Sequence, residues 1–173
     1  MAVLEILKFP HPVLRQKARR VEHIDETIHR LVEDMTETMY RAPGIGLAAN
    51  QVGVPRRVIV VDVSAGEAPE NRMVLVNPEI LHREGRVTTE EGCLSVPDLR
   101  ENVTRAGRVV VRGLDLEGRR VEVEADDLLA VALQHEIDHL DGILFIDRIS
   151  QLKRSRYVAK RRKMLQSQPE DRR

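Results

Sequence analysis

The chain has 173 residues, 42% hydrophobic and 32% charged, with 28 basic and 28 acidic side chains. That length suits one domain with its own core, and the composition suits a soluble globular protein. Only four aromatic side chains (Phe9, Tyr40, Phe145 and Tyr157) and no tryptophan leave an aliphatic core and exclude an aromatic platform for stacking single-stranded nucleic-acid bases.

The zero net charge is unevenly spread. Residues 151–173 hold nine Lys/Arg against two Asp/Glu, a net of +7, and residues 1–150 hold 19 against 26, a net of −7. The sequence therefore divides into a single acidic domain over 1–150 and a basic C-terminal helix and tail over 151–173. Such asymmetry fits either an anionic partner or a solvated surface helix. No run approaches the ~20 apolar residues of a membrane span, and the opening Met1-Ala2-Val3-Leu4-Glu5-Ile6 lacks the layout of a secretory signal. A cytoplasmic protein without membrane contact is expected. Cys93 is the only cysteine, which excludes an intrachain disulfide.

In chain order, residues 11–19 predict a short helix with Pro12 in its first turn. From Asp25, a fair N-cap, Ile28, Leu31, Val32, Met35 and Met39 follow the spacing of an amphipathic helix. It should end before Pro43-Gly44, with Ala42 biased away from helical geometry. Gly44 to Gly53 holds three glycines and two alanines, a backbone open to close approach. The apolar residues between them argue for a packed segment, and no phosphate-loop Lys-Ser/Thr follows.

Arg57 to Val63, Met73 to Val76, Ile80 to Arg86, Val109 to Leu114 and Arg120 to Glu124 read as strands. Asn77-Pro78 stops the second, and Asp115-Leu116-Glu117-Gly118 turns between the last two. Strands this close in sequence, without helices between them, predict an α+β fold. Its antiparallel β-sheets pack around a central helix, followed by a C-terminal helix.

That central helix begins near Asp126-Asp127. Leu128, Val131, Ala132, His135 and His139 fall on one face and Leu129, Leu133 and Leu140 on another, so it should be buried. Asp141-Gly142 offers its stop. Ser150 can cap the last helix, whose sparse apolar positions (Leu152, Val158, Leu165) predict weak docking and a frayed end.

The central helix carries His135-Glu136-Ile137-Asp138-His139, an H-E-x-x-H motif. Two histidines four apart lie one turn from each other and can converge on one metal ion, with Glu136 placed to work on a bound water. Phe145 stands where a metzincin-type extension would have its third histidine. The only downstream glutamate is Glu170, in the polar tail. The third ligand should therefore come from upstream, and Cys93, in Glu91-Gly92-Cys93-Leu94-Ser95, is the leading candidate.

Three segments stand together: Gly44-Ile45-Gly46-Leu47-Ala48-Ala49-Asn50-Gln51, Glu91 to Ser95, and Gln134 to His139. In order and content they resemble the motifs G-φ-G-φ-A-A-x-Q, E-G-C-φ-S and Q-H-E-x-D-H of the peptide deformylase family, where φ is apolar. The likeness runs from Ala2 to the basic tail, at the length of the bacterial type.

The resemblance implies removal of the N-formyl group from the formyl-methionine of nascent polypeptides, releasing formate. It implies Cys93, His135 and His139 as ligands of one divalent metal ion, natively iron(II), with zinc, nickel or cobalt able to substitute. Glu136 would be the general base and then acid for a metal-bound water, and Gln51 and the Leu94 backbone N–H would stabilise the oxyanion. Gly46 would let the substrate backbone lie close, and Ile45, Leu128, Val131 and Ala132 would line the methionine pocket. A monomer is expected, with the basic helix docking near the ribosomal exit tunnel. Two other readings share these residues: a metallopeptidase cutting internal bonds, and a ribosome- or RNA-binding module whose metal is only structural.

Overall fold

The computed structural model describes residues 2–167. Three α-helices and seven strands follow one another as α1 (Glu26–Arg41), β1 (Gly46–Ala48), β2 (Val58–Val61), β3 (Met73–Glu84), β4 (Val87–Cys93), β5 (Val96–Arg105), β6 (Arg108–Leu114), β7 (Arg120–Asp126), α2 (Asp127–Leu140) and α3 (Gln151–Ser167). Strands β1-β2-β3-β6-β7 form one sheet in that order, and β4-β5 form a separate hairpin. Every pairing is antiparallel, as the closely spaced strand signals predict.

The five-stranded sheet is covered on both faces. On β2, Val58 and Val60 pack with Val32, Met35 and Met39 of α1. The alternate residues Ile59 and Val61 pack with Ala130, Leu133, Ile137 and Leu140 of α2. The two-residue period of a strand thus feeds two cores at once, and each fully buried aliphatic side chain contributes about 1.5–3 kcal/mol. Ten of the fourteen residues of α2 are buried, which accounts for its lack of a polar face. A third core joins Val96 and Val103 of β5 to Leu144, Phe145 and Ile146 after α2 and to Tyr157 of α3.

Several local expectations change. The predicted helix over 11–19 shrinks to a 3₁₀ turn, Pro12–Arg15. Its following backbone instead bonds other segments, with Ala18 N donating to Leu140 O and Arg19 N to Pro55 O. Helix α1 starts on the Asp25 cap and ends at Arg41, but Ala42 keeps right-handed helical dihedrals. The chain leaves the helix at Pro43, which has no N–H to continue the ladder. Asn77-Pro78 does not stop a strand: β3 runs through it, with a register shift between Val76 and Glu79. Asn77 adopts positive φ there, and its side-chain amide bonds both backbone groups of Val21, so the irregularity is satisfied rather than terminating.

The predicted β6-β7 turn forms, with the Asp115 carboxylate accepting from the Glu117 and Arg119 N–H groups. Helix α2 ends at Leu140, and Gly142 just beyond its cap takes positive φ, where an added Cβ would meet the Arg15 carbonyl.

Ser150 Oγ accepts from Lys153 N at the start of α3. Leu152 is 61% exposed, and Tyr157 is the one buried residue among the described part of the helix. Its hydroxyl donates to Pro97 O, and Arg161 Nε donates to Phe9 O. Residues 168–173, which complete the basic tail, lie outside the described residues. No described helix is long and apolar enough to cross a membrane.

Candidate metal centre

Three elements bring the chemistry together. Helix α2 presents His135, Glu136 and His139, β4 ends on Cys93, and a 3₁₀ turn (Ala49–Val52) after β1 carries Gln51. The donor atoms of Cys93, His135 and His139 all lie within 4.8 Å of one another. Cys93 Sγ and His139 Nε2 are 3.3 Å apart, close to the about 3.5 Å separating sulfur and nitrogen ligands on one tetrahedral ion. The imidazole rings meet edge to face with centroids 5.0 Å apart.

His135 Nδ1 lies 2.9 Å from Glu91 Oε1. An ionised carboxylate only accepts, so Nδ1 carries a proton and Nε2 is the ring nitrogen that would face an ion once deprotonated. One thiol and two imidazoles of this geometry fit a divalent transition metal. Phe145, the residue that breaks the metzincin pattern, stacks on His135 with centroids 6.2 Å apart. It packs the site instead of coordinating.

Glu136 is buried, and its Oε1 has no hydrogen-bond partner among the described residues. Burial pushes its carboxyl up to about 7, against the opposing positive charges of His135 and Arg105. Burial also holds His139 well below the ordinary histidine range, helped by the charge of His135. His135 moves the other way: burial lowers it, but Glu136, Cys93 and Glu91 together outweigh that and raise it well above the ordinary value. A Cβ at Gly46 would collide with the Glu136 carboxylate, so the glycine leaves room for that carboxylate at the cleft wall.

The Gln51 amide is oriented by its neighbours. Its Oε1 accepts from Ala48 N, and its Nε2 donates to Ser95 Oγ at 3.0 Å while lying 3.8 Å from Cys93 Sγ. Nε2 thus has one short bond, to Ser95, and one long contact, to the Cys93 sulfur, and its two N–H groups are the donors this amide turns toward the cleft.

A cleft of about 670 Å³ opens over these groups. Gln51, Cys93, Leu94, His135 and Glu136 line it, together with all five expected pocket residues, Ile45, Gly46, Leu128, Val131 and Ala132. His139 sits behind, almost fully buried. Leu128, on the helix face predicted to be buried, is 49% exposed at the cleft rim. Leu99 and Arg100 of β5 also reach the cleft; they carried no sequence signal because the β4-β5 hairpin was not predicted.

The supporting network behind the site was also missed. Arg105, 3% exposed at its side chain, grips Glu91 through Nε at 2.6 Å and Nη2 at 3.0 Å, and donates to Asp138 Oδ2 through Nη1 at 2.9 Å. Arg148 binds the same Asp138 with both Nε and Nη2. Glu91 and Asp138 sit inside the quoted motifs, but Arg105 is 14 and 33 positions from its partners, and no local pattern announces it.

A family model described as polypeptide deformylase matches residues 3–155. A peptide deformylase from Acidobacterium capsulatum is 53% identical over 164 residues, covering 95% of this chain and 96% of that protein. One from Alkalilimnicola ehrlichii is 55% identical over 165 residues, covering 95% and 92%. Among solved structures, a peptide deformylase from Legionella pneumophila superposes with a TM-score of 0.89 at 44% identity, over 96% of this chain and 99% of that one. A peptide deformylase from Synechococcus elongatus in complex with actinonin gives 0.86 at 40% identity, over 91% and 87%.

Proposed function

The chain belongs to the polypeptide deformylase family, and from that membership we propose that it removes the N-formyl group from N-formylmethionyl nascent peptides, releasing formate and a free amine. It is an enzyme of the peptide deformylase class. The observation that carries the mechanism is the buried Glu136 carboxylate, with one oxygen unpartnered, in the same cleft as Cys93, His135 and Gln51.

Cys93, His135 and His139 would hold one divalent ion, iron(II) by family resemblance, with zinc, nickel or cobalt as substitutes. When bound, that ion supplies the Lewis acidity that activates water at neutral pH. Glu136 takes the proton as water attacks the formyl carbon and later hands it to the leaving amine. Its raised proton affinity suits both halves of that task. Gln51 Nε2 and the Leu94 N–H donate to the developing oxyanion, where one preorganised donor is worth about 3 kcal/mol. Gly46 lets the peptide backbone lie against β1 as an added strand. Ile45, Leu128, Val131 and Ala132 receive the unbranched methionine side chain.

Residues 1–150 act as the catalytic unit, as a monomer in the cytoplasm. The basic segment 151–173 docks by charge near the ribosomal exit tunnel, an association that should weaken with salt. Formate release from a formyl-methionyl peptide tests the activity. Cleavage of internal peptide bonds with no formate would replace this reading with a metallopeptidase.

A further inference from the structure

On the side of α2 away from the substrate cleft lies a second cleft, of about 470 Å³. Arg83, Arg86, Arg105 and Arg148 face it, against a single carboxylate, Asp138. Arg83 closes the last turns of β3, and Arg86 follows the positive-φ Gly85 that leads into β4. Arg105 ends β5, and Arg148 comes from the 3₁₀ turn after α2. Four separate segments thus aim guanidinium groups at one concavity.

The donors in this cleft divide into used and unused. Arg105 commits Nε and Nη2 to Glu91 and Nη1 to Asp138. Arg148 commits Nε and Nη2 to Asp138, which leaves its Nη1. Both oxygens of Asp138 are thereby taken by guanidinium groups. Thr104 Oγ1 is paired with Thr88, and the Gln134 amide is spent on Ala106 and on Ala130 O. The guanidinium groups of Arg83 and Arg86 have no hydrogen bond or acidic partner among the described residues. Other arginines of the same sheets do: Arg100 pairs with Glu90, Arg112 with Glu79, and Arg108 with Glu84, Glu124 and Asp126. The second cleft is therefore a concave surface with three guanidinium groups offering free donors and no free acceptor of matching charge.

We propose that this rear cleft is a binding site for a phosphate-type oxyanion, held by Arg83, Arg86 and Arg148 Nη1. The planar guanidinium fork matches the tetrahedral oxyanion two bonds at a time, and Arg105 adds charge without contact. A free phosphate and a phosphodiester of a nucleic-acid backbone present the same oxygens, and both satisfy the site. It needs none of the groups assigned to catalysis.

Inorganic phosphate titrated into the zinc-loaded full chain, followed by amide chemical shifts, should give saturable shifts at Arg83 to Arg86 and Thr104 to Ala106. The double variant R83A/R86A, altered at two exposed positions, should weaken that binding at least tenfold. Its rate of formate release should stay unchanged. R83K/R86K should recover part of the affinity, because charge returns without the fork. Replacing exposed Arg30 on α1 should change nothing. Phosphate that bound at the metal centre would shift amides near Cys93 equally in all variants, so the two sites separate. A short single-stranded RNA that binds the same amides and competes with phosphate identifies a phosphodiester as the source. Phosphate binding without RNA binding identifies a free anion. Shifts that do not saturate, or affinity equal in wild type and R83A/R86A, overturn the proposal.

Discussion

The reactive groups at the cleft wall and the buried Glu91-Arg105-Asp138 network handle polar groups in opposite ways. On the substrate side, Glu136 Oε1 is buried with no partner among the described residues, and one N–H of Gln51 makes only a long contact, 3.8 Å, to the Cys93 sulfur. Behind them, Glu91, Arg105 and Asp138 satisfy one another at 2.6–3.0 Å, with Glu91 reaching His135 and the cleft as well. Buried polar groups without partners cost about 1–3 kcal/mol each, so they persist where a ligand supplies the missing bond. A fully paired network behind them fixes the donors that must not move. Helix α2 thus presents Glu136 and the two histidines at the metal centre, while Glu91 of β4 and Arg105 of β5 tie it in place through His135 and Asp138.

The sharpest way to break this contrast is on the substrate side. Cys93→Ala should abolish tight metal binding and with it turnover. Glu136→Ala should keep the metal and lower turnover about 10²–10⁴-fold. Metal content measured beside formate release on the same samples reads both. A Cys93→Ala protein with full metal and activity would remove the ligand assignment. A Glu136→Ala protein with full formate release would remove the general-base assignment.

The buried network should respond in stability and metal affinity together. Arg105→Ala leaves Glu91 buried without its cation and Asp138 with Arg148 alone, a change that costs about 3–5 kcal/mol. Denaturant unfolding checks it. Glu91→Gln keeps an acceptor for His135 Nδ1 but loses the charge, and metal affinity should fall about 10–100-fold with a smaller loss of stability. Equal effects of the two variants on metal affinity and stability would mean that the network only supports the fold.

This division also explains what could be read from sequence. The central helix was legible because its chemistry and its periodicity are local: His135, Glu136 and His139 lie within one turn, and Leu129, Leu133 and Leu140 repeat beside them. Asp25, Ser150 and Gly142 marked helix ends for the same reason. The β4-β5 hairpin was not legible. Its residues Thr88 to Glu91 and Asp98 to Asn102 are mostly polar, and the burial of Val96 and Val103 depends on Phe145 and Tyr157 far along the chain. Continuity of β3 through Asn77-Pro78 depends on hydrogen bonds to Val21, 56 positions away. Arg105 and the unpaired Arg83 and Arg86 likewise take their meaning only from segments that the fold brings together.

The smallest expected effect concerns the turn that supplies Arg148 to the buried network. Its neighbour Asp147 binds Arg15 and accepts from Leu144 N at 3.0 Å. Burial pushes the Asp147 carboxyl up, but the bonds from Arg15 and Leu144 outweigh it and hold it below the usual carboxylate range. A depressed folded value means that the stabilisation is complete above the unfolded value, about 3.9, and is lost as pH falls through the folded one. Asp147→Asn removes that titration. The variant should be less stable than wild type at pH 7, and the gap should narrow as the solution is acidified below about pH 4. Metal loss in acid affects both proteins, so the difference between their urea midpoints at each pH isolates Asp147. A gap that is constant with pH would assign the effect to lost packing or to the hydrogen bond itself, and would remove Asp147 from the acid sensitivity of this turn.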